Sequence, residues 1–121
     1  MSLQRRHRIL VVDDEPLVCE SVAMLLAHDG HDVETAGSGE EALSKQSSGQ
    51  YDVVITDFSM PGMKGDELSA ELKLRAPSLP VIMLTAFPPP TRPVTIDLVL
   101  TKPFFLETLR QGLKRVLNVA A

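Results

Sequence analysis

The sequence predicts an α/β domain built on a doubly wound, five-stranded parallel sheet. Four short apolar runs, Ile9 to Val12, Val53 to Ile55, Val81 to Leu84 and Leu98 to Leu100, lack polar alternation, as strands buried on both faces do. Each run ends in polar residues with chemical potential: Asp13-Asp14, Thr56-Asp57, Thr85 and Thr101-Lys102. Helical patterns joined to these runs by short links complete the strand-helix alternation, with right-handed crossovers by default.

The first helix opens at Glu15-Pro16, where proline in the first turn lacks only an N–H that the helix does not use. Leu17, Val18, Val22, Leu25 and Leu26 follow at helical spacing, and Gly30 ends the element. His31 to Ala36 alternates polar with apolar residues, which suits an outer strand. Ser38, with Glu41 three residues on, forms a capping box for the second helix, which closes at Ser47-Ser48-Gly49-Gln50. The third strand delivers Asp57, and the loop Ser59-Met60-Pro61-Gly62 leads to a helix starting at Gly65-Asp66. That helix carries Leu68, Leu72 and Leu74 up to Ala76-Pro77, and Pro80 begins the fourth strand. After Pro103 the last helix is expected to set Phe105, Leu109, Leu113, Val116 and Leu117 on one face against the sheet.

With 121 residues the chain suffices for one core and not for two, so residues 1–121 are read as a single domain. Residues 1–7 read as a lead-in or tag, and the chain is compatible with excision from a longer protein. Apolar residues make up 44% and aromatics 4%, which predicts a soluble protein with an aliphatic core. A net charge of −4 argues against nucleic acid as a partner, because phosphate binding needs clustered Lys and Arg. The one basic cluster, Arg5-Arg6-His7-Arg8, reads as a solvated approach to the first strand. The sequence shows neither a membrane span nor a secretory signal, and its single Cys19 cannot form an internal disulfide, so the cytoplasm is the expected location. Cys19, on a helix without a basic neighbour, is expected to pack rather than react.

Parallel strands gather their C-terminal ends along one rim, where open α/β sheets bind ligands. Asp13, Asp14, Asp57, Thr85 and Lys102 are therefore expected to meet. At about 4 Å and an effective dielectric of about 20, each like-charge pair among the carboxylates costs on the order of 4 kcal/mol, so a cation should offset them. Oxygen ligands suit Mg2+, and the chain has no Cys/His cluster for zinc. A carboxylate beside a divalent ion, faced by an ammonium and a hydroxyl, is arranged to attack a phosphoryl donor and hold the phosphoryl oxygens. Singly, each residue has an ordinary structural role: Asp13 or Asp14 as a helix N-cap, Thr85 as a strand-end hydroxyl, Lys102 as a solvated charge.

Asp13-Asp14, Asp57 with Met60-Pro61-Gly62-Met63 and Gly65, Thr85-Ala86, and Lys102-Pro103-Phe104 together resemble the receiver domain of bacterial two-component response regulators. The resemblance implies a flavodoxin-like strand order 2-1-3-4-5. It implies that Asp57 accepts a phosphoryl group from a sensor histidine kinase or phosphotransfer protein. It further implies Mg2+ bound by Asp14, Asp57 and the Ser59 carbonyl, with Asp13 acting through water. Thr85 would donate its hydroxyl to the phosphoryl group, Lys102 would pair with it, and the Lys102–Pro103 bond would be cis. Kinase recognition would fall on the first helix around Leu17, Glu20, Ser21 and Met24, and output would go to a downstream effector protein or domain. Phe87 and Ser59 would flank the path of the hydrolytic water, with the Phe87 ring prolonging the acyl phosphate.

The chain departs from that family in two places. Pro88, Pro89, Pro90 and Pro93 occupy the stretch where the family's fourth helix runs, so an extended loop or a single turn is expected, with the helix missing or much reduced. Val99 stands where related domains carry an aromatic residue that swings inward on activation. The lost helix is expected to uncover apolar surface near Val94, Ile96 and Leu98, hence a homodimer or docked partner through the 86–100 region. Two other functions stay open: a pseudo-receiver that signals by constitutive interaction, and a phosphatase of the aspartate-nucleophile type. The latter type needs a second aspartate where this chain has Ser59.

Overall fold

A computed structural model describes residues 6–117, so Arg5 and the start of the lead-in lie outside the described residues. Five parallel strands, β1 (Arg8–Val12), β2 (Asp32–Ala36), β3 (Val53–Thr56), β4 (Val81–Thr85) and β5 (Leu98–Thr101), form one sheet in the order β2-β1-β3-β4-β5. Four helices, α1 (Pro16–His28), α2 (Gly39–Ser48), α3 (Gly65–Arg75) and α4 (Leu106–Leu117), cover it. Among the described residues no helix is long and apolar enough to cross a membrane.

The uninterrupted apolar runs have a simple cause. Successive side chains of a strand point to opposite faces, and here both faces are covered. Leu10 and Val12 of β1 pack with Leu68, Leu72 and Met83 on the side of α2 and α3. Ile9 and Val11 pack with Val22, Leu26, Leu109 and Leu113 on the side of α1 and α4. The outer strand β2 lies at the edge of the sheet, where the helices cover its faces only in part, and its residues before Ala36 are exposed or half-buried. Cys19 is buried in the second cluster, with its thiol directed at the carbonyls of Val11 and Ala36. Burial pushes that thiol's pKa up, which suits packing and not reactivity.

The helix starts follow local chemistry. Ser38 Oγ accepts from the Glu41 N–H at 3.1 Å, but the Glu41 carboxylate reaches back to the Gly37 N–H at 2.8 Å rather than to Ser38 itself, so the box closes one residue earlier than the motif implies. At α3 the Glu67 carboxylate accepts from the Lys64 N–H at 2.9 Å. The C-terminal end of α1 and the N-terminal half of α4 are tied by the Arg110 guanidinium, which donates to both oxygens of Asp29 at 2.7 and 2.6 Å and holds that carboxyl below its usual range.

Several apolar positions end up elsewhere than helical spacing suggests. Leu17, Leu74 and Phe105 point to solvent: Leu17 and Leu74 fall on the faces of α1 and α3 turned away from buried Cys19, Val22 and Leu26 and from buried Leu68, Ser69 and Leu72, and Phe105 precedes the first residue of α4. No helix joins β4 to β5; residues 86–97 form an irregular segment closed by one turn in which the Ile96 N–H donates to the Pro93 carbonyl at 3.0 Å. Of the apolar residues expected to open there, Ile96 alone is buried, and Leu98 is half-buried. Ile96 is fully buried among Leu72, Leu79 and Met83, taking over core volume that a helix would have supplied, while Val94 stays 96% exposed. Ile96→Ala should therefore cost about 3 kcal/mol in a denaturant titration, as a large core deletion does, whereas Val94→Ala should change stability by under about 0.5 kcal/mol.

Candidate functional site

The site is assembled by the sheet ladder continuing past the strands. The Asp13 N–H donates to the Ala36 carbonyl at 3.1 Å, the Asp57 N–H to the Val12 carbonyl at 3.0 Å, and the Lys102 N–H to the Thr85 carbonyl at 2.8 Å. Each chemically useful residue is thus held in register with its neighbour on the rim. Asp13, Asp57 and Thr85 are buried, and Asp14 is exposed at the mouth.

The carboxylates converge. One oxygen from each of Asp13, Asp14 and Asp57 lies within 4.8 Å of the others. The Lys102 ammonium approaches from β5, 3.4 Å from Asp13 Oδ2 and 3.8 Å from Asp57 Oδ1, and the Lys102–Pro103 bond is cis. Asp13 is also fixed by the Glu15 N–H, which donates to its Oδ1 at 3.0 Å, and Asp57 by the Phe58 N–H at 2.9 Å. Thr85 ends β4 beside β5, and its hydroxyl accepts from the Phe87 N–H at 3.3 Å. Ser59 lies in the exposed loop two residues past Asp57, with the next residue, Met60, buried as its anchor. Of the six residues singled out from sequence, four therefore touch or face one another directly, Thr85 joins them through the ladder, and Ser59 follows Asp57 on the loop.

The electrostatics are unfavourable to a charged Asp57. Burial is the largest cause and raises its pKa; Lys102 pulls it down, and the Asp13 charge pushes it up again. A carboxylate in this position gains from any cation that joins it. An all-oxygen donor set open to solvent on the Asp14 side is the chemistry a hard divalent ion such as Mg2+ takes.

Two close approaches escaped the sequence reading. A Cβ on Gly65 would lie 2.3 Å from the Asp57 carbonyl oxygen, so the start of α3 is pressed against the Asp57 backbone and only glycine fits. A Cβ on Gly39 would lie 2.7 Å from Met63 Sδ, so the first turn of α2 seats the loop that follows Asp57. Both glycines were visible as letters, but nothing local to either names the atom it must avoid.

A doubly wound parallel sheet with an acidic rim defines an open α/β protein whose ligand site lies at the carboxyl ends of its strands. The comparisons give the particular family. The model of the response regulator receiver domain matches residues 9–114, and the chain belongs to that family. It is 39% identical over 107 residues to the transcriptional regulatory protein TcrA of Mycobacterium tuberculosis, covering 84% of this chain and 42% of that protein. Among solved structures, the chemotaxis protein CheY4 of Vibrio cholerae superimposes with a TM-score of 0.87 at 34% identity, covering 93% of this chain and 99% of that one. The response regulator TrrA of Thermotoga maritima, solved in complex with Mg(2+)-BeF, gives a TM-score of 0.83 at 38% identity, covering 90% of this chain and 97% of that one. The chain spans about two fifths of the length of the first curated relative it matches.

Because the raised pKa of Asp57 means that the folded state binds its proton more tightly than the unfolded state does, its contribution to stability is present below the ordinary aspartate range and is lost as pH rises through the raised value. Without divalent metal at neutral pH, Asp57→Asn should raise the thermal midpoint by a few degrees. It should also flatten the decline in stability that the wild type shows as pH rises from about 4. A lower midpoint for the variant, by calorimetry across that range, would contradict this electrostatic description.

Proposed function

We propose that the chain is a phosphoacceptor receiver domain in which Asp57 takes a phosphoryl group from a sensor histidine kinase or phosphotransfer protein. The observation that carries this reading is the convergence of Asp13, Asp14 and Asp57 with the Lys102 ammonium over them. Receiver domains bind Mg2+ at an acidic pocket, and TrrA was solved with Mg(2+)-BeF. In this chain Asp14, Asp57 and the Ser59 carbonyl are the groups to hold Mg2+, with Asp13 acting through water. Bound there, the ion neutralises the carboxylates and screens the charge of the incoming phosphoryl group.

The chain's own residues then divide the work. Asp57 Oδ attacks phosphorus as the bond to the donor histidine nitrogen breaks, giving an acyl phosphate on the carboxyl. Lys102, already between Asp13 and Asp57, moves onto a phosphoryl oxygen and replaces one carboxylate partner with a more strongly charged one. The Thr85 hydroxyl donates to another phosphoryl oxygen, which draws the end of β4 towards the site. The only chemistry proposed is phosphorylation and dephosphorylation of Asp57 itself.

The exposed face of α1, with Leu17 79% and Met24 72% exposed on either side of Glu20 and Ser21, supports recognition of the phosphoryl donor there. Output goes to a downstream effector protein or domain. Self-association through the 86–100 region rests on exposed Phe87 and Val94, now that Ile96 is accounted for by the core. We place this activity in the cytoplasm, where a kinase-fed receiver meets its donor. A pseudo-receiver, which would keep the same site residues and signal by constitutive interaction, is supported only by the lack of a helix between β4 and β5 and by Val99, and has less support.

Intact mass after incubation with acetyl phosphate and Mg2+, backed by a phosphorylated histidine donor, tests the reading. One added phosphoryl group should appear in the wild type and be absent from Asp57→Asn and from a magnesium-free sample. No adduct with either donor would put the constitutive interaction module first. The Phe87 ring is largely exposed, so Phe87→Ala should speed loss of the adduct only if that ring folds in over the phosphoryl group.

A further inference from the structure

Helix α3 touches both arms of the site. Its first residue is built against the acceptor loop: the Gly65 N–H donates to the Phe58 carbonyl at 3.0 Å, under the steric constraint from the Asp57 carbonyl described above. One turn later, the buried Ser69 hydroxyl lies 2.6 Å from the hydroxyl of Thr95, on the segment that replaces a helix between β4 and β5. A further turn on, Lys73 donates to Asp97 at 2.7 Å, and the same carboxylate oxygen accepts the Val81 N–H at 2.8 Å. With Ile96 buried between them, Thr95 and Asp97 pin the far end of the segment to α3 and β4.

The near end of the segment is held differently. The Phe87 N–H donates to the hydroxyl of Thr85, the same oxygen that turns to the phosphoryl group in the reading above. Between these ends stand Pro88, Pro89, Pro90 and Pro93, each with φ locked near −65°. With four φ angles fixed, the segment has fewer ways to absorb a displacement before it reaches the pinned end. Arg92 stiffens that end further by donating to the Ile96 carbonyl. Contacts at Gly65–Phe58, Ser69–Thr95 and Phe87–Thr85, joined by the covalent chain of α3 and of residues 87–95, thus link the Asp57 loop to the end of β4. On β5, by contrast, Val99 is too small to act as a swinging aromatic.

We propose that the Ser69–Thr95 hydroxyl pair is a latch that couples phosphorylation at the rim to α3, so that α3 and not β5 carries the signal outward. The proposal rests on the reading of Asp57 and Thr85 given above. Displacement of the Thr85 hydroxyl pulls the Phe87 amide, the proline-rich segment moves Thr95, and the latch either carries Ser69 with it or breaks. The face of α3 that changes includes the exposed Leu74. Because coupling between sites is reciprocal, the latch in turn sets how tightly the site holds a phosphoryl mimic.

The test is amide hydrogen exchange of the full chain with Mg2+, with and without beryllofluoride, in the wild type and in Thr95→Val, Thr95→Ser and Ser69→Ala. In the wild type, exchange in peptides covering residues 65–75 should change at least about threefold on adding beryllofluoride. Thr95→Val keeps the shape and loses the hydroxyl. It should abolish that change while the response of residues 57–64 persists, and should shift the beryllofluoride dissociation constant on the order of three- to tenfold. Thr95→Ser should restore both. Ser69→Ala removes the bond from the other side and should match Thr95→Val even if the latter disturbs the segment. Equal α3 responses and equal dissociation constants in the wild type and both hydroxyl-deleting variants would overturn the latch alone. A wild type with no beryllofluoride response anywhere would overturn the phosphoacceptor reading and the latch with it.

Discussion

Three carboxylates, with one oxygen of each within 4.8 Å of the others, are the constraint around which this domain is organised. Left to themselves Asp13, Asp14 and Asp57 would move apart, since each pair repels by several kcal/mol at an intermediate dielectric. They stay together because two of them leave the sheet through ladder hydrogen bonds, and because Lys102 is brought over them by β5. The apolar layers on both faces supply the burial that makes this rigidity affordable. The result is a site poised for positive charge.

Close packing against the Asp57 backbone requires that α3 start on glycine. A backbone under electrostatic stress has to be clamped from several sides, and at Gly65 the clamp leaves no room for a methyl group. Stiffness in the segment after Thr85 has a value of its own. If the response of the site is a small displacement of a strand-end hydroxyl, a floppy connection would dissipate it before it reached another element.

The strands, their order of appearance and the rim residues were legible in the sequence because buried parallel strands have an unmistakable composition and their C-terminal ends must share an edge. Asp13, Asp14, Asp57, Thr85 and Lys102 follow from that geometry alone. Helix orientation was less legible: Leu17 and Leu74 are apolar yet lie on the solvent faces of α1 and α3, and Phe105 lies just before α4, so apolar character alone did not say which residues face the core. The prolines correctly forbade a helix between β4 and β5, but not the way Ile96 would fill the space. The Ser69–Thr95 contact joins residues 26 apart through two small hydroxyls, a pairing with no local signature.

The most direct test of the central electrostatic claim is the thermal midpoint of the wild type and of Asp57→Asn as Mg2+ is raised at neutral pH. A cluster strained by its own charge and relieved by a cation predicts a saturable rise in the wild type, worth about 2.7 kcal/mol when the ion is present at about a hundred times its dissociation constant. It predicts a much smaller rise in the variant, which has already lost one of the repelling charges. Equal rises in both proteins, or none in the wild type, would contradict it.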